Sequence, residues 1–149
     1  MKKPINQMKL QFHSLSTNEG FARVAVAAFI SSLDPTTSEI ADIKTAVSEA
    51  VTNCIVHAYA DTIGTITIHT KIFEGGRVAI SIKDKGCGIE NIEKAIEPLY
   101  TTKPDEERSG LGFSVMQSFT DKMRVHSKIG KGTTVTLEKF LKGKSNTNE

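Results

Sequence analysis

Several classes of function are excluded by what this 149-residue chain lacks. No stretch approaches the roughly 18 consecutive apolar residues of a membrane-spanning helix, and Met1-Lys2-Lys3-Pro4 leads into no signal-peptide apolar block, so a cytoplasmic protein without a membrane partner is expected. The two cysteines, Cys54 and Cys87, stand in no C-x-x-C pair and no Cys/His metal spacing; both are expected as reduced thiols, with no zinc site. Nineteen Lys and Arg oppose seventeen Asp and Glu, without a long basic run or a stacked set of aromatics, which argues against direct nucleic-acid binding. A G-x-x-x-x-G-K-[ST] P-loop is missing, and neither glycine loop completes G-x-G-x-x-G, so P-loop, Rossmann and eukaryotic-type kinase readings lose ground. His13, His57, His69 and His126 show no ligand spacing and receive no role.

What is present is enough for one core. A chain of this length with 38% apolar residues buries about 68–70% of its unfolded surface, and residues 1–141 read as a single domain followed by a polar, disordered tail over 142–149. Met8, Leu10 and Phe12 alternate with polar residues as a half-buried strand does. Ser16 and Glu19 have capping-box spacing, predicting a helix from about Thr17 to Leu33, before Pro35; Thr36 and Glu39 repeat the spacing and open a second helix. That helix has an apolar line through Ile40, Ile43, Val47, Cys54 and Ala58, and a face carrying Asp42, Thr45, Glu49 and Asn53. Two alternating runs, over 66–72 and 78–82, flank Glu74-Gly75-Gly76-Arg77 as a hairpin, and 123–127 with 133–140 make another. Residues 89–109, broken by Pro98 and Pro104, read as a mobile connector with at most a short helical piece; a helix is expected from about Gly110, with Leu111, Val115, Met116 and Phe119 inward. The sum predicts an α+β two-layer sandwich, helices on one face of a mixed, mostly antiparallel sheet.

Three short segments carry chemistry. Glu49 and Asn53 are one helical turn apart and project together; a carboxamide oxygen suits Mg²⁺, and a carboxylate one turn earlier can accept a proton from an attacking hydroxyl. A solvated helix face is the competing reading. Asp84 closes a strand before Gly86 and Gly88, where missing side chains let backbone approach a ligand, and its carboxylate can accept hydrogen bonds from an exocyclic amine; a tight turn after a strand explains the same residues. Gly110-Leu111-Gly112 before an apolar-periodic run has the form of a helix N-terminus that attracts phosphate. Lys103 and Arg108 in the connector can neutralise phosphoryl charge, or belong to an ordinary charged loop. From Phe21 to Leu33 the only charge is Arg23, on a helix apolar nearly all round; either it is central, or part of it, with Val26, Ala27 and Ile30 as candidates, is covered by another subunit.

In order and spacing, Glu49-Ala50-Val51-Thr52-Asn53, Asp84-Lys85-Gly86-Cys87-Gly88 and Gly110-Leu111-Gly112 resemble the N box and the two glycine boxes of the Bergerat-fold (GHKL) ATPases. Pro98-Leu99-Tyr100-Thr101-Thr102-Lys103 looks like the lid motif of the kinase branch, and Gly132-Thr133-Thr134 is similar to its adenine-side threonine motif. The length, and Phe21-Ala22-Arg23-Val24-Ala25-Val26-Ala27-Ala28-Phe29, extend the resemblance to the anti-sigma serine kinases of endospore-forming bacteria. The resemblance implies a Bergerat-type fold and a homodimer that holds a sporulation sigma factor inactive with ATP bound. It also implies transfer of the γ-phosphate to a serine of an anti-anti-sigma protein. By motif it makes Asn53 the Mg²⁺ ligand and Glu49 the base, assigns adenine to Asp84 and Thr133 with Gly86 and Gly88 beside them, and gives the phosphates to Gly110, Leu111 and Gly112. Thr101, Lys103 and Arg108 follow from their place in the lid, and Arg23, the lone charge between Phe21 and Leu33, is suggested as a partner contact. A nucleotide-gated sigma-binding module without significant kinase activity, and an ATPase fragment of a larger machine, are the alternatives.

Overall fold

A computed structural model describes residues 2–96 and 112–143. Strand β1 (Asn6–His13) is followed by helix α1 (Thr17–Ile30), a 3-10 turn (Ser31–Leu33) and helix α2 (Thr37–Asn53), which passes without a break into a π-helical turn (Cys54–Ala58). Strands β2 (Thr65–Phe73) and β3 (Arg77–Lys83), the short helices α3 (Ile92–Ile96) and α4 (Phe113–Ser118), and strands β4 (Lys122–Lys128) and β5 (Gly132–Phe140) complete the chain. The five strands form one sheet in the order β1-β2-β3-β5-β4, with all four pairings antiparallel.

Strand alternation decides which side of the sheet the helices cover. Ile66, Ile68, Thr70 and Ile72 of β2, Val78, Ile80 and Ile82 of β3 and Leu137 of β5 are buried on one side. There Ile66, Ile68, Val78, Ile80, Ile82 and Leu137 join Ala22, Val26 and Ile30 of α1, and Ile43, Val47 and Val51 of α2, in one core. Burying a Val, Leu or Ile side chain contributes about 1.5–3 kcal/mol, so this shared layer holds both helices against the sheet. The opposite face carries mainly polar and charged side chains, with Phe73, Ala79 and Phe140 among them. The two-layer sandwich expected from the sequence is the architecture observed.

The details depart from expectation where a distant residue intervenes. Thr36 makes the capping box as its spacing predicts: its hydroxyl accepts from Glu39 N at 3.0 Å while its own N–H donates to Glu39 Oε1 at 2.9 Å. Ser16 makes no side-chain cap, because its backbone is already helical (φ −58°, ψ −29°). Glu19 turns instead to Arg23 of its own helix, at 2.6 Å, and to Ser48 of α2. Of the two readings of α1, the central one holds for Val26, Ala27 and Ile30, which are buried in the chain's own core; the exposed large apolar side chains of α1 are Phe21 and Val24, on the other side of the helical wheel. Helix α4 begins at Phe113 rather than near Gly110, since Gly112 at φ +60° is left-handed and cannot continue a helix. Phe113 and Met116 are its buried residues, with Val115 and Phe119 half-buried. The expected tail is still attached at its start, where the N–H groups of Lys142 and Gly143 donate to Glu39 at 2.7 and 3.2 Å.

Candidate functional site

The C-terminal part of α2 and its π-helical turn lie over the ends of β3 and β5. Ala50, Asn53, Cys54, His57 and Ala58 recur at the helical spacing of one face and line a cavity of about 150 Å³. Opposite them stand Ile82 and Asp84, then Gly88 and Ile89, and Thr133 and Val135 of β5. The walls are mostly apolar and the polar groups few, the form of a slot for a flat heterocycle.

Asp84 is 5% exposed, and its carboxylate is fixed from three sides. Oδ1 accepts from Gly86 N at 2.9 Å and Thr133 N at 3.1 Å, and Oδ2 from the thiol of Cys54 at 3.6 Å. Its own N–H donates to Thr133 O at 2.9 Å, locking the loop to β5. Oδ1 is therefore saturated by backbone, while Oδ2 has a soft sulfur donor as its protein partner and retains capacity to accept an amine. Burial, and then the charge of Asp84, push the Cys54 thiol well above its usual range, so Cys54 stays a donor. The Thr133 hydroxyl shares a hydrogen bond with Ser127 Oγ at 2.7 Å.

The glycines of this loop serve the protein's own packing. A Cβ on Gly86 would collide with Ala58 O, and one on Gly88, at φ +81°, with Lys128 O. Close approach is required there as expected, but the approaching groups are the π-helical turn and the β4–β5 turn. Gly112 has the same relation to the catalytic candidate: a Cβ would strike Glu49 Oε1, so the carboxylate lies directly over the backbone that opens α4. Burial, and then the charge of Glu19, raise the Glu49 carboxyl above its ordinary value.

A model of the histidine kinase-like ATPase domain matches residues 13–139. The anti-sigma F factor of Caldanaerobacter subterraneus subsp. tengcongensis is 57% identical over 136 residues, 91% of this chain and 94% of that one. This chain belongs to the histidine kinase-like ATPases, among the anti-sigma F factors. The fold agrees. The RsbU and RsbW domains of a Mycobacterium tuberculosis protein superpose with a TM-score of 0.68 at 21% identity, over 93% of this chain and 33% of that one. The catalytic domain of the histidine kinase ThkA does so with 0.58 at 20% identity, over 90% and 96%. Membership makes this an ATP-using domain of kinase type. Among the described residues no helix is long and apolar enough to cross a membrane.

In this member of the family, Asn53, Asp84, Gly88 and Thr133 meet in one cavity, Gly86 supports it from behind, and Glu49 and Gly112 are in contact beside it. Thr101, Lys103, Arg108, Gly110 and Leu111 lie outside the described residues. Arg23 is on α1, 41% exposed and ion-paired with Glu19. Sequence reasoning missed Cys54, placed there only on an apolar line, and His57, which lines the cavity; it also missed Tyr59, whose hydroxyl donates to Thr65 O at 2.8 Å and accepts from Lys85 N at 2.6 Å, bracing the Asp84 loop. No local pattern marks these three, because each partner is distant in sequence or contributed by the π-helical turn.

Proposed function

We propose that this chain is an ATP-dependent anti-sigma factor that also phosphorylates a serine of an anti-anti-sigma protein. The observation that carries the reading is the convergence of a backbone-locked carboxylate, Asp84, with Asn53 and Thr133 in one apolar slot. The slot fits adenine: Oδ2 of Asp84 takes the exocyclic amine, and Ala50, Ile82 and Val135 cover the ring faces. Asn53, one turn from Glu49 toward the phosphate side, fits an oxygen ligand for Mg²⁺. Bound Mg²⁺ and the γ-phosphate supply charge neutralisation and the group to be transferred. Glu49 takes the proton of the incoming serine hydroxyl, its raised affinity for that proton set by burial and by Glu19. By motif, the phosphates are assigned to Gly110, Leu111 and Gly112, and Thr101, Lys103 and Arg108 are assigned to the nucleotide from their place in the chain, with Arg108 to neutralise the transferring charge.

Partners are assigned to the α1 side. Leu15, Phe21 and Val24 are 42%, 52% and 55% exposed, an apolar surface suited to a homodimer, with Arg23 among them as a contact for the sigma factor or the anti-anti-sigma protein. The assigned compartment is the cytoplasm. The test is intact-mass spectrometry of the anti-anti-sigma protein after incubation with this protein and Mg-ATP, alongside Glu49→Gln. One added phosphate that the variant fails to add supports the kinase; no added phosphate with ATP still bound leaves a nucleotide-gated sigma-binding module. Arg23→Glu weakens binding of a partner at unchanged ATP affinity, and unchanged binding of both partners removes Arg23 from the surface.

A further inference from the structure

We propose that the sheet face turned away from the helices binds the phosphate backbone of a nucleic-acid duplex without reading its sequence. A net charge of +2 conceals how the charges are placed. Two adjoining depressions, of about 610 and 290 Å³, cover this face from β1 to β4 and share His69 and Ser81. Their walls carry six Lys or Arg side chains, Lys9, Lys71, Arg77, Lys83, Lys85 and Arg124, against one carboxylate, Glu138. The remainder of the molecule therefore holds more carboxylates than cations.

Glu138 is occupied by Arg77 and Arg124, both at 3.2 Å. Lys9, Lys71, Lys83 and Lys85 pair with no described carboxylate. Their collective field is felt by His69, which is held below its usual range by burial and then by Lys71 and Lys9. Register puts Lys9 and Arg124 at the two ends of one cross-strand row, with Ser81 and Thr136 between them, while Lys83 stands between Thr67 and Thr134 in the next. Four strand spacings separate the ends of a row, about 19 Å. The result is a hydroxyl floor with cations at both ends of one row and in the middle of the next.

The chemistry of that floor selects the occupant. Protein interfaces are centred on buried aromatic and apolar anchors and are poor in Lys, whereas nucleic-acid interfaces are polar, strongly positive, and contact phosphate through Lys, Ser and Thr. Here the floor is Thr65, Thr67, Ser81 and Thr134, and the Tyr59 ring is buried with both sides of its hydroxyl in use. A single strand requires stacking platforms, and Phe140 at one corner is the exposed ring available among the described residues of this face. A second copy is disfavoured because like charges would meet. An area about 19 Å wide under strands of seven to nine residues is small for a DNA-binding module, so binding is weak and wholly electrostatic.

The test uses the full chain and a fluorescent 20-base-pair DNA duplex of arbitrary sequence, titrated by anisotropy between about 20 and 200 mM salt. Four unpaired lysines predict a slope of log affinity on log salt of about −3.6, with two unrelated duplex sequences bound equally. Lys9→Glu combined with Lys71→Glu and Lys83→Glu lowers affinity by more than about tenfold while ATP affinity and the melting temperature stay within error; the three Lys→Gln changes give an intermediate loss. The proposal fails if no saturable binding appears at about 20 mM salt, or if the charge-reversed variant, folded by its ATP binding, binds as the parent does. It fails equally if polyglutamate or a single strand of the same charge competes as well as the duplex, which would point to an acidic protein partner or a plain cation-exchange surface. Nucleotide binding at the other face is measured separately, so failure of the kinase reading leaves this result untouched.

Discussion

Asp84→Asn isolates what the buried carboxylate does. The change keeps shape and removes charge, but the hydrogen bonds leave little choice of orientation: Oδ1 accepts two backbone N–H groups, from Gly86 and Thr133, so the amide oxygen must remain there. The NH₂ then occupies the Oδ2 position, beside Cys54 and facing the slot. Two charge-assisted bonds become neutral ones, a loss of about 1–3 kcal/mol in stability, equivalent to a fall in Tm of roughly 3–9 °C for a domain of this size. The adenine amine, which needs an acceptor, now meets a donor. Losing a hydrogen bond to a charged group and leaving donors opposed costs about 2–4 kcal/mol, or ~30- to ~1,000-fold in ATP affinity. Guanine presents a carbonyl at that position, so the ratio of GTP to ATP affinity rises. Calorimetric titration with both nucleotides, beside a urea melt, reads all three quantities. An Asp84→Asn protein that melts cooperatively yet binds ATP within about threefold of the parent would refute the role given to Asp84.

Other consequences are simpler to measure. Thr70 is fully buried and its hydroxyl has no hydrogen-bond partner among the described residues, so the isosteric Thr70→Val should raise stability by about 1–2 kcal/mol in a urea melt; a destabilised variant would mean that the hydroxyl is satisfied in solution. Glu49→Gln should abolish transfer by about 10²–10⁴-fold while ATP affinity holds, since the base acts only in the chemical step. Because the folded-state affinity of Glu49 for its proton is raised, the parent loses stability as pH climbs from about 4.5 through that higher value. Glu49→Gln has no such loss, so it should match the parent in acid and be the more stable protein at neutral pH; paired melts at the two pH values decide. Glu39 is the reverse case: burial raises its carboxyl, but the N–H groups of Thr36, Lys142 and Gly143 outweigh that and hold it below its ordinary range. The stability it contributes is present above about pH 4.5 and lost as pH falls through the lower value, so Glu39→Gln should flatten acid denaturation.

The sheet was largely legible because its code is local. Alternation at Ile66, Ile68 and Ile72 and at Val78, Ile80 and Ile82 states both the strand and its buried side, and Gly75-Gly76, both at φ +87°, marks the turn between them. The Thr36 cap was legible for the same reason. Ser16 has the same spacing but makes no cap: its backbone is already helical, and Glu19 is held by Arg23 and by Ser48, 29 residues away. The switch from α to π winding after Asn53 has no local sign either, although it places Cys54, His57 and Ala58 around the cavity. Motif spacing located Asp84, Asn53 and Thr133, but not the thiol, 30 residues from Asp84, that faces its second oxygen.

The π winding and the Cys54 thiol fall in one place for a physical reason. A regular helix continuing past Asn53 would give Cys54–Ala58 the next turn of the α2 face, whereas the wider π turn brings Ala58 O against Gly86 and lets Tyr59 N return to Cys54 O at 2.9 Å. Gly88 and Gly112, both left-handed, then close the slot and seat Glu49. Glycine takes the left-handed conformation without strain, and the elements around the slot follow their own preferences: β3 and β5 fix Asp84 and Thr133, and the buried side of α2, from Ile43 to Val51, fixes Glu49 and Asn53. Substitutions in the sheet core should therefore reduce stability before they alter nucleotide affinity. A substitution at Gly112, where the collision is with Glu49 itself, should reverse that order.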